Sequence, residues 1–326
     1  MKSPAYHVLS ISAVLFFGLL NSAEYSVQAG DKVQISLSSV GSSFSYGGVA
    51  LKKGFFKAEG LDVELIQMRG NVAMAALAAE HLDYTLMFGS VVRAALSGFP
   101  YKVLASFTNG PTNVLVGRSE FSGVQDLRGH TVGISSFGAG VHITAELMVR
   151  NLGINPAEVK FVAVGNDAAR LANLEKNLVD FALVSPAAAT RAERIGLKII
   201  ARAYEHLVFP FAGLGASEKK VKKEPDKTKR VIKALINASR YIREEREGTI
   251  QILMDWAKEG KGSATDLYEV LRKISSEDGS IPQKGLQLVI EQAKKELKLS
   301  REVAFSEVVD ESILIEAQKE LKIKGR

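Results

Sequence analysis

The residues of this sequence best suited to contact a small molecule lie in six short loops that are rich in Gly, Ser and Asn. Each loop follows a predicted strand and precedes a predicted helix. Such loops gather unpaired backbone N–H groups at the positive end of a helix dipole, which suits a carboxylate, sulfonate or phosphate group. The loops are residues 42–46, 69–71, 89–90, 135–140, 165–167 and 185–186.

Most residues of these loops are candidate ligand contacts. We expect the main contacts in residues 43–46, at Ser90 and in residues 135–139. The full set of candidate ligand-binding residues is Ser43, Phe44, Ser45, Tyr46, Arg69, Gly70, Asn71, Gly89, Ser90, Ser135, Ser136, Phe137, Gly138, Ala139 and Ser185.

The same residues also have purely structural interpretations. A tight turn would account for Gly138 and Gly140, and a hydrophobic core for Phe44 and Tyr46. Arg69 is the only cation inside the six loops. An exposed surface position is the ordinary interpretation of an arginine, whereas a position facing a cleft would favour an anionic ligand. Residue types that cap helices stand at Ser42, Ser45, Asn71 and Asn166, and capping is the preferred interpretation for Asn166.

Several kinds of chemistry lack the residues they need. The sequence has 0 Cys, which excludes disulfides, thiol catalysis, Cys-ligated zinc and iron–sulfur clusters. It contains no P-loop, no complete dinucleotide-binding fingerprint and no GxSxG motif. No two of the 5 His form a metal-binding pair at short helical spacing, and we expect a surface or packing role for His142. The sequence therefore predicts a protein that is not an enzyme and that uses no cofactor or metal.

The elements that position these loops alternate between short β-rich runs and helical runs. Strands are predicted at residues 33–39, 61–67, 84–88 and 102–107, with helices between them. The same order restarts at residue 131 and continues to residue 200. This alternation indicates an α/β fold with largely parallel sheets. The two units also share a helix that ends in Leu followed by a strand that begins with Asp, at Asp83 and at Asp180, which suggests an internal repeat.

The chain becomes mostly helical after residue 215. Pro225 stands near the start of a helix predicted at residues 226–247, as is typical of a first helical turn. Further amphipathic helices are predicted at residues 249–258, 265–273, 283–297 and 311–321. The lysines between residues 219 and 233 have two interpretations, a solvated surface or a docking site for an acidic partner. Nucleic acid is disfavoured, because no aromatic residues are interleaved with the basic ones.

The N-terminal residues predict export. Residues 8–20 are an apolar run interrupted only by Ser10 and Ser12, and spanning a bilayer takes ~20 apolar residues. The run suits a secretory signal peptide that is cleaved near Ala29, and a membrane tether is the alternative interpretation. The remaining composition, 46% hydrophobic and 24% charged, is that of a globular protein. We therefore expect an exported protein without a lipid-bearing Cys, in the periplasm.

The string from Gly54 to Glu64, GFFKAEGLDVE, resembles a signature of periplasmic substrate-binding proteins of ABC importers. The branch it resembles includes nitrate, sulfonate, taurine and thiamine-pyrimidine-precursor binders. Supporting stretches at residues 76–84, 126–133, 152–159 and 179–182 follow in the same order, so that the resemblance runs from about residue 33 to residue 255.

The resemblance implies a two-lobed periplasmic-binding-protein-like fold. Each lobe would be a mainly parallel sheet flanked by helices, and two crossing hinge strands, near residues 113–117 and 209–213, would join the lobes. Residues 30–115 and 210–326 would form lobe I, including the C-terminal helices, and residues 116–209 would form lobe II. The resemblance also implies a monomer that traps a small molecule between its lobes and delivers it to the permease and ATPase subunits of a transporter.

The sequence departs from this family at one position. Members that bind oxyanions often place a hydroxyl residue after the glycine of the lobe II loop, whereas here Ala139 follows Gly138. This departure puts a nitrate- or sulfonate-type ligand in doubt, and the Ser/Phe/Tyr-rich first loop also suits an aromatic or heterocyclic carboxylate. Two other functions stay open, an exported enzyme and a sensory receptor that uses the same cleft.

Overall fold

The computed structural model describes residues 30–40, 42–135, 137, 140–258 and 260–323. The predicted signal peptide, residues 1–29, lies outside the described residues. Within the described part of the chain, strands form two sheets of five strands each. The first sheet contains β1 (Asp31–Leu37), β2 (Leu61–Gln67), β3 (Tyr84–Thr85), β4 (Tyr101–Thr108) and β10 (Ala212–Ser217). The second contains β5 (Val114–Gly117), β6 (Thr131–Ile134), β7 (Lys160–Ala163), β8 (Phe181–Val184) and β9 (Lys198–Arg202).

The two sheets have the same topology. The strand order is β2-β1-β3-β10-β4 in the first and β7-β6-β8-β5-β9 in the second. In each sheet the first strand of the unit pairs in parallel with the next two strands. The fourth position in each order is taken by an antiparallel strand, β10 or β5. Each antiparallel strand enters its sheet directly after the chain has crossed from the other one, so these crossings interrupt the otherwise parallel pattern.

Helices surround both sheets. Those of the two repeated units are α1 (Ser45–Lys52), α2 (Phe55–Ala58), α3 (Gly70–Ala78), α4 (Phe88–Leu96), α5 (Gly140–Asn151), α6 (Asp167–Glu175), α7 (Pro186–Arg194) and α8 (Ala203–His206). The C-terminal helices are α9 (Glu218–Lys223), α10 (Pro225–Glu244), α11 (Arg246–Ala257), α12 (Lys261–Ile274), α13 (Gln283–Leu297), α14 (Phe305–Val308) and α15 (Ser312–Glu320). None of the helices in the described ranges is long and apolar enough to cross a membrane.

Buried side chains divide into a large core and two smaller clusters. The large core combines the first sheet with the C-terminal helices, which pack on it through residues such as Val231, Leu235 and Ile290. The smaller clusters lie on the second sheet. We call the first sheet with its helices, including α9–α15, the first lobe, and the second sheet with its helices the second lobe. The predicted α/β fold with two lobes is confirmed.

The repeat predicted from the sequence has a structural basis. The Asp83 carboxylate accepts a hydrogen bond from the backbone N–H of Gln34 in β1 at 2.8 Å. The Asp180 carboxylate accepts one from the backbone N–H of Thr131 in β6 at 2.9 Å. In both lobes the aspartate before the third strand therefore ties that strand to the first one.

One helix and one strand of the first unit differ from the predicted extent. The helix expected to run to about residue 57 is divided, because Gly54 adopts a positive φ of 76° and separates α1 from α2. Glycine adopts this conformation at little cost and commonly ends helices in this way. The strand predicted at residues 84–88 ends at Thr85, and α4 begins at Phe88.

Candidate functional site

A cavity of about 570 Å³ lies between the two lobes. Its walls come from parts of the chain that are far apart in sequence. The first lobe contributes Ser38, Phe44, Arg69, Gly70, Asn71, Met87, Gly89, Ser90 and Arg93. The second lobe contributes Gly140, Ile143, Thr144 and Leu147. The crossing before β10 contributes Phe209, Pro210 and Phe211, and helix α13 contributes Val289, Gln292, Ala293 and Glu296.

Three helices begin at this cavity. Gly70 and Asn71 are the first two residues of α3, Gly89 and Ser90 belong to the first turn of α4, and Gly140 is the first residue of α5. The first N–H groups of a helix have no partner within it, and the helix dipole adds positive potential there. The cavity therefore presents several sources of positive potential that favour an anion.

Gly70 leaves room for the Ser90 hydroxyl at the wall of the cavity. A Cβ atom added at Gly70 would lie 2.5 Å from the Ser90 hydroxyl oxygen, closer than real side chains permit, and 3.4 Å from the Ser90 Cβ. A larger residue at position 70 would therefore displace this hydroxyl.

Three charged side chains line the cavity. The Arg93 guanidinium lies 2.7 Å from the Glu296 carboxylate and forms a salt bridge with it. Arg69 is exposed, and no hydrogen bond or ion pair joins its side chain to another residue in the described part of the chain. Two positive charges and one negative charge leave a net charge of +1, which resides on Arg69.

Most of the remaining wall is apolar. Aromatic rings from the first lobe and the crossing, and aliphatic side chains from α5 and α13, provide it, among them Phe44, Ile143, Leu147, Phe211 and Val289. Thr144 is fully buried, and its hydroxyl oxygen has no hydrogen-bond partner among the described residues. This surface suits the carbon skeleton of an organic molecule, because binding would remove apolar area from water.

Six of the predicted site residues line the cavity, namely Phe44, Arg69, Gly70, Asn71, Gly89 and Ser90. Their neighbours in the first loop lie in the protein core. Ser43 and Ser45 are buried, and the Ser45 hydroxyl donates to the Ser42 carbonyl at 2.7 Å. The Tyr46 ring packs on Phe107 with centroids 5.0 Å apart, and burial raises the pKa of its hydroxyl well above the usual value.

The predicted residues of the second lobe do not line the cavity where they are described. Ser135 is half-buried after β6, and its carbonyl accepts from the N–H of Gly165 at 3.2 Å. The Phe137 ring is 63% exposed and meets the His142 ring edge-on at 5.2 Å. Ser185 caps α7 through its side chain. The predicted residues Ser136, Gly138 and Ala139 lie outside the described residues, so their role stays a prediction.

Sequence reasoning missed the wall formed by α13 and most of the wall formed by α5. The pattern of α13 contained a signal, since Val289, Ala293 and Glu296 follow each other at helical spacing on one face. That spacing is the same for a face that packs on a core and for a face that lines a cavity. The aromatic residues at 209 and 211 lie in a segment predicted as a crossing, but they were not included among the ligand contacts.

His142 lies next to the cavity and packs among charged and aromatic groups. Its Nε2 is 3.8 Å from the Glu146 carboxylate, and the same carboxylate lies 3.2 Å from the Lys295 ammonium. The His142 ring also meets Phe161 edge-on at 5.3 Å. These contacts support the packing role expected from the sequence. Nowhere in the described ranges do three or more His, Cys, Asp or Glu side chains form a group that could hold a metal ion.

The lysine cluster between residues 219 and 233 is paired with acidic side chains. Lys220 contacts Asp83 and Glu224, and Lys233 contacts Glu59 and Glu320. Burial tends to lower the pKa of Lys233, but its hydrogen bonds to these two carboxylates outweigh that effect and raise it. These partners neutralise much of the positive charge of the cluster. The pairing therefore favours the interpretation as a solvated surface over the interpretation as a docking site for an acidic partner.

Solved structures with the same fold include two solute-binding proteins. One is the periplasmic aliphatic sulphonate binding protein SsuA from Escherichia coli, with a TM-score of 0.69 and 14% identity over 87% of this chain and 99% of that one. Another is the periplasmic nitrate-binding protein NrtA from Synechocystis PCC 6803, with a TM-score of 0.68 and 15% identity over 91% of this chain and 90% of that one. The two-lobed fold implied by the sequence resemblance is therefore confirmed.

The desulfurization enzyme DSZB also has this fold, with a TM-score of 0.63 and 13% identity over 89% of this chain and 99% of that one. No curated protein sequence matches the chain significantly. A sequence model of the NMT1/THI5-like family matches residues 45–248, which include the cavity residues of α3, α4 and α5. That match covers more than half of the chain, and the protein therefore belongs to the NMT1/THI5-like family.

Proposed function

We propose that this protein is an extracytoplasmic solute receptor that captures a small organic anion between its two lobes and delivers it to an ABC permease. The observation that carries the proposal is the interlobe cavity, at which three helices begin and the Arg69 side chain pairs with none of the described residues. Ligands of α/β proteins commonly bind where strand ends meet helix starts. The fold shared with sulphonate- and nitrate-binding proteins supports the same function.

The ligand's chemistry follows from the lining of the cavity. Arg69 and the helix starts suit one carboxylate or sulfonate group. The apolar wall suits a carbon skeleton, and a cavity of about 570 Å³ is far larger than an inorganic ion such as nitrate needs. We infer an organic anion with an aliphatic or aromatic body.

Capture would use closure of the lobes about the two segments that join them. The chain passes between the sheets through residues 109–113 and 203–211. Such connections act as hinges in proteins that close around ligands. The proposed lobe bounds are residues 30–115 with 210–326 for lobe I and residues 116–209 for lobe II. Because β5 begins at Val114 and pairs within the second sheet, the first of these boundaries moves to residue 113. Closure would bring the second lobe, including Ser135 and Phe137, toward Ser90 and Arg69.

The proposed location is the periplasm. The apolar run at residues 8–20 supports export with cleavage near Ala29, and the two named binding proteins of this fold are periplasmic. The proposed partners are the permease and ATPase subunits of an importer, with the receptor acting as a monomer. A sensory receptor would use the same cavity, and neighbouring genes for a kinase or chemoreceptor would favour it over import.

An exported enzyme is the second candidate, because the desulfurization enzyme DSZB has the same fold. Such an enzyme would need a positioned acid, base or nucleophile in the cavity. We favour the receptor because, among the described residues that line the cavity, the charged groups are a salt-bridged pair and one arginine. The two functions differ in the fate of the ligand, which a receptor releases unchanged.

A ligand panel tests both candidates. Residues 30–326 would be unfolded and refolded to remove carried ligand, then melted with nitrate, sulfonates, aromatic carboxylates, pyrimidines and small amino acids. A ligand present at a hundred times its dissociation constant should stabilise the protein by about 2.7 kcal/mol. We expect stabilisation by organic anions and their recovery unchanged. Conversion of the stabilising compound would favour the enzyme, and stabilisation by neutral compounds alone would contradict the proposed anion site.

A further inference from the structure

Helix α13 forms one wall of the cavity although it lies outside the part of the chain that matches the family. The match ends at residue 248, whereas α13 spans Gln283–Leu297. Its side chains at the cavity include a carboxylate, Glu296. An acidic side chain in a cavity that otherwise attracts anions needs a physical explanation, because it weakens that attraction.

The position of α13 is fixed by contacts with both lobes and with the crossing between them. A Cβ atom at Gly285 would lie 2.6 Å from the Cα of Phe209, so the helix packs directly on the crossing backbone. Lys295 reaches across to the second lobe, where its ammonium lies 3.2 Å from the Glu146 carboxylate. On the other side, Arg93 of α4 donates to Oε2 of Glu296 at 2.7 Å. The Glu296 carboxylate is therefore held in place.

Glu296 cancels one of the two positive charges at the cavity. With its carboxylate the lining carries a net charge of +1, and without it Arg69 and Arg93 would give +2. The Glu296 side chain is 22% exposed, and its Oε1 has no hydrogen-bond partner among the described residues. In such a partly desolvated setting, a nearby negative charge on the ligand would be repelled more strongly than in water.

We propose that Glu296 limits the ligand of this cavity to a single negative charge. This inference rests on the proposed receptor function and adds to it a selectivity for the charge of the ligand. A monoanion places its charge at Arg69 and its body on the apolar wall. A dianion of the same shape places its second charge near the salt bridge of Arg93 and Glu296, where the Glu296 carboxylate neutralises the one other cation among the described lining residues. The selectivity comes from a repulsive element that acts against the wrong ligand.

Two nearly isosteric compounds test this proposal. In isophthalate both groups on the benzene ring are carboxylates, and in 3-carbamoylbenzoate one of them is a neutral carboxamide. Titration calorimetry on the wild-type protein at low ionic strength is expected to give at least tenfold tighter binding of 3-carbamoylbenzoate. Glu296→Gln keeps the shape of the side chain and a carbonyl for Arg93 while removing the charge. We expect this variant to bind isophthalate at least tenfold better than the wild type does.

Glu291→Gln is the matched control, because Glu291 lies on the same helix but is exposed and does not line the cavity. It changes the net charge equally, and it should leave the preference unchanged. Equal effects of the two variants, or a wild-type protein without preference, would overturn the role of Glu296 and leave the receptor function standing. Binding of neither compound to the wild-type protein would count against both proposals.

Discussion

The two lobes repeat the same order of strands and helices, yet equivalent helix starts in them differ. We call the starts of α3 and α4 the open corner and the starts of α6 and α7 the closed corner. In the first lobe the starts of α3 and α4 open onto the cavity. The corresponding starts of α6 and α7 in the second lobe are closed by side chains of their own loops. Asn166 accepts from the N–H of Ala169 at 3.0 Å, and Ser185 accepts from the N–H of Ala188 at 3.3 Å.

In the closed corner of the second lobe, side chains also link the start of α6 to the start of α7. The Asp167 carboxylate accepts from the N–H and the hydroxyl of Ser185, and it pairs with Arg170 on its own helix. In the first lobe, neither Arg69 before α3 nor Met87 before α4 makes a side-chain capping bond. A helix start can therefore either be capped by side chains, which stabilises the fold, or face a ligand site without a side-chain cap. In α4 the N–H groups of Phe88 and Ser90 donate to the backbone carbonyls of Leu86 and Met87 instead.

The largest expected effect follows from blocking the open corner. Ser90→Trp places a large ring in the cavity at the start of α4, and we expect the affinity for the stabilising anion to fall at least a hundredfold. The circular dichroism spectrum and a cooperative melt should be retained. Titration calorimetry measures the loss, and an unchanged affinity would refute the site. Gly138→Trp applies the same test to the loop that is predicted to close from the second lobe.

The next effect contrasts one arginine of each lobe. Arg69 is exposed and makes no side-chain bond to the described residues, so Arg69→Gln should leave the melting temperature unchanged. It should weaken anion binding by about 1.5–3 kcal/mol, which is roughly 10- to 100-fold in the dissociation constant. Arg170 is buried and paired with Asp167. Arg170→Gln should therefore lower the melting temperature and spare the affinity, and the reverse pattern would contradict the comparison.

Removing a cap from the closed corner should affect stability alone. Ser185→Ala deletes the oxygen that caps α7 and bonds to Asp167, so we expect the free energy of unfolding to fall by about 1 kcal/mol. Urea unfolding measures this change. Ser90→Ala is the matched variant in the open corner and should cost little stability, because α4 has no side-chain cap. Equal losses in both variants would show that the two corners do not differ.

The smallest expected effect concerns pH. Burial raises the pKa of Asp180, but hydrogen bonds from Thr131 and the charge of Arg118 outweigh it, so the pKa lies below its usual value of 3.8. The unfolded chain then binds more protons than the folded one as the solution becomes acidic. This carboxylate stabilises the fold above pH about 5, and its contribution is lost as the pH falls toward the folded pKa. In Asp180→Asn, the free energy of unfolding measured with urea should fall less steeply as the pH is lowered. An unaltered pH dependence would argue against a stabilising role for the hydrogen bonds between Thr131 of β6 and Asp180 before β8.

Local features of the fold were predictable from the sequence. Pro186 and Pro225 each occupy the first position of a helix, as their fixed φ predicts, and Asn166 is the cap that it was expected to be. The buried stripe of α10, which includes Val231, Leu235 and Ile242, follows the helical period. These features depend on residues within one or two helical turns of each other, so the local sequence is enough to predict them.

The candidate site was predictable only in part, for a reason visible in the first loop. Phe44 and Tyr46 have similar side chains two positions apart, yet Phe44 lines the cavity while Tyr46 packs against Phe107. Which of them faces the cavity depends on how α1 packs against the rest of the first lobe. The strand-end loops at Arg69 and Gly89 were found because parallel strands bring their carboxyl ends to one edge.

The pattern of residues along the chain indicates the order of the elements, the repeat of two α/β units and the loops from which one wall of the cavity is built. Packing between distant segments sets which helix starts face the cavity and which are capped by side chains of their own loops. It also placed α13 against the cavity, where Arg93 and Glu296 form a salt bridge although they are 203 positions apart. Periodicity and capping report on neighbours along the chain. The charge of the cavity depends on contacts between distant segments, which no local pattern contains.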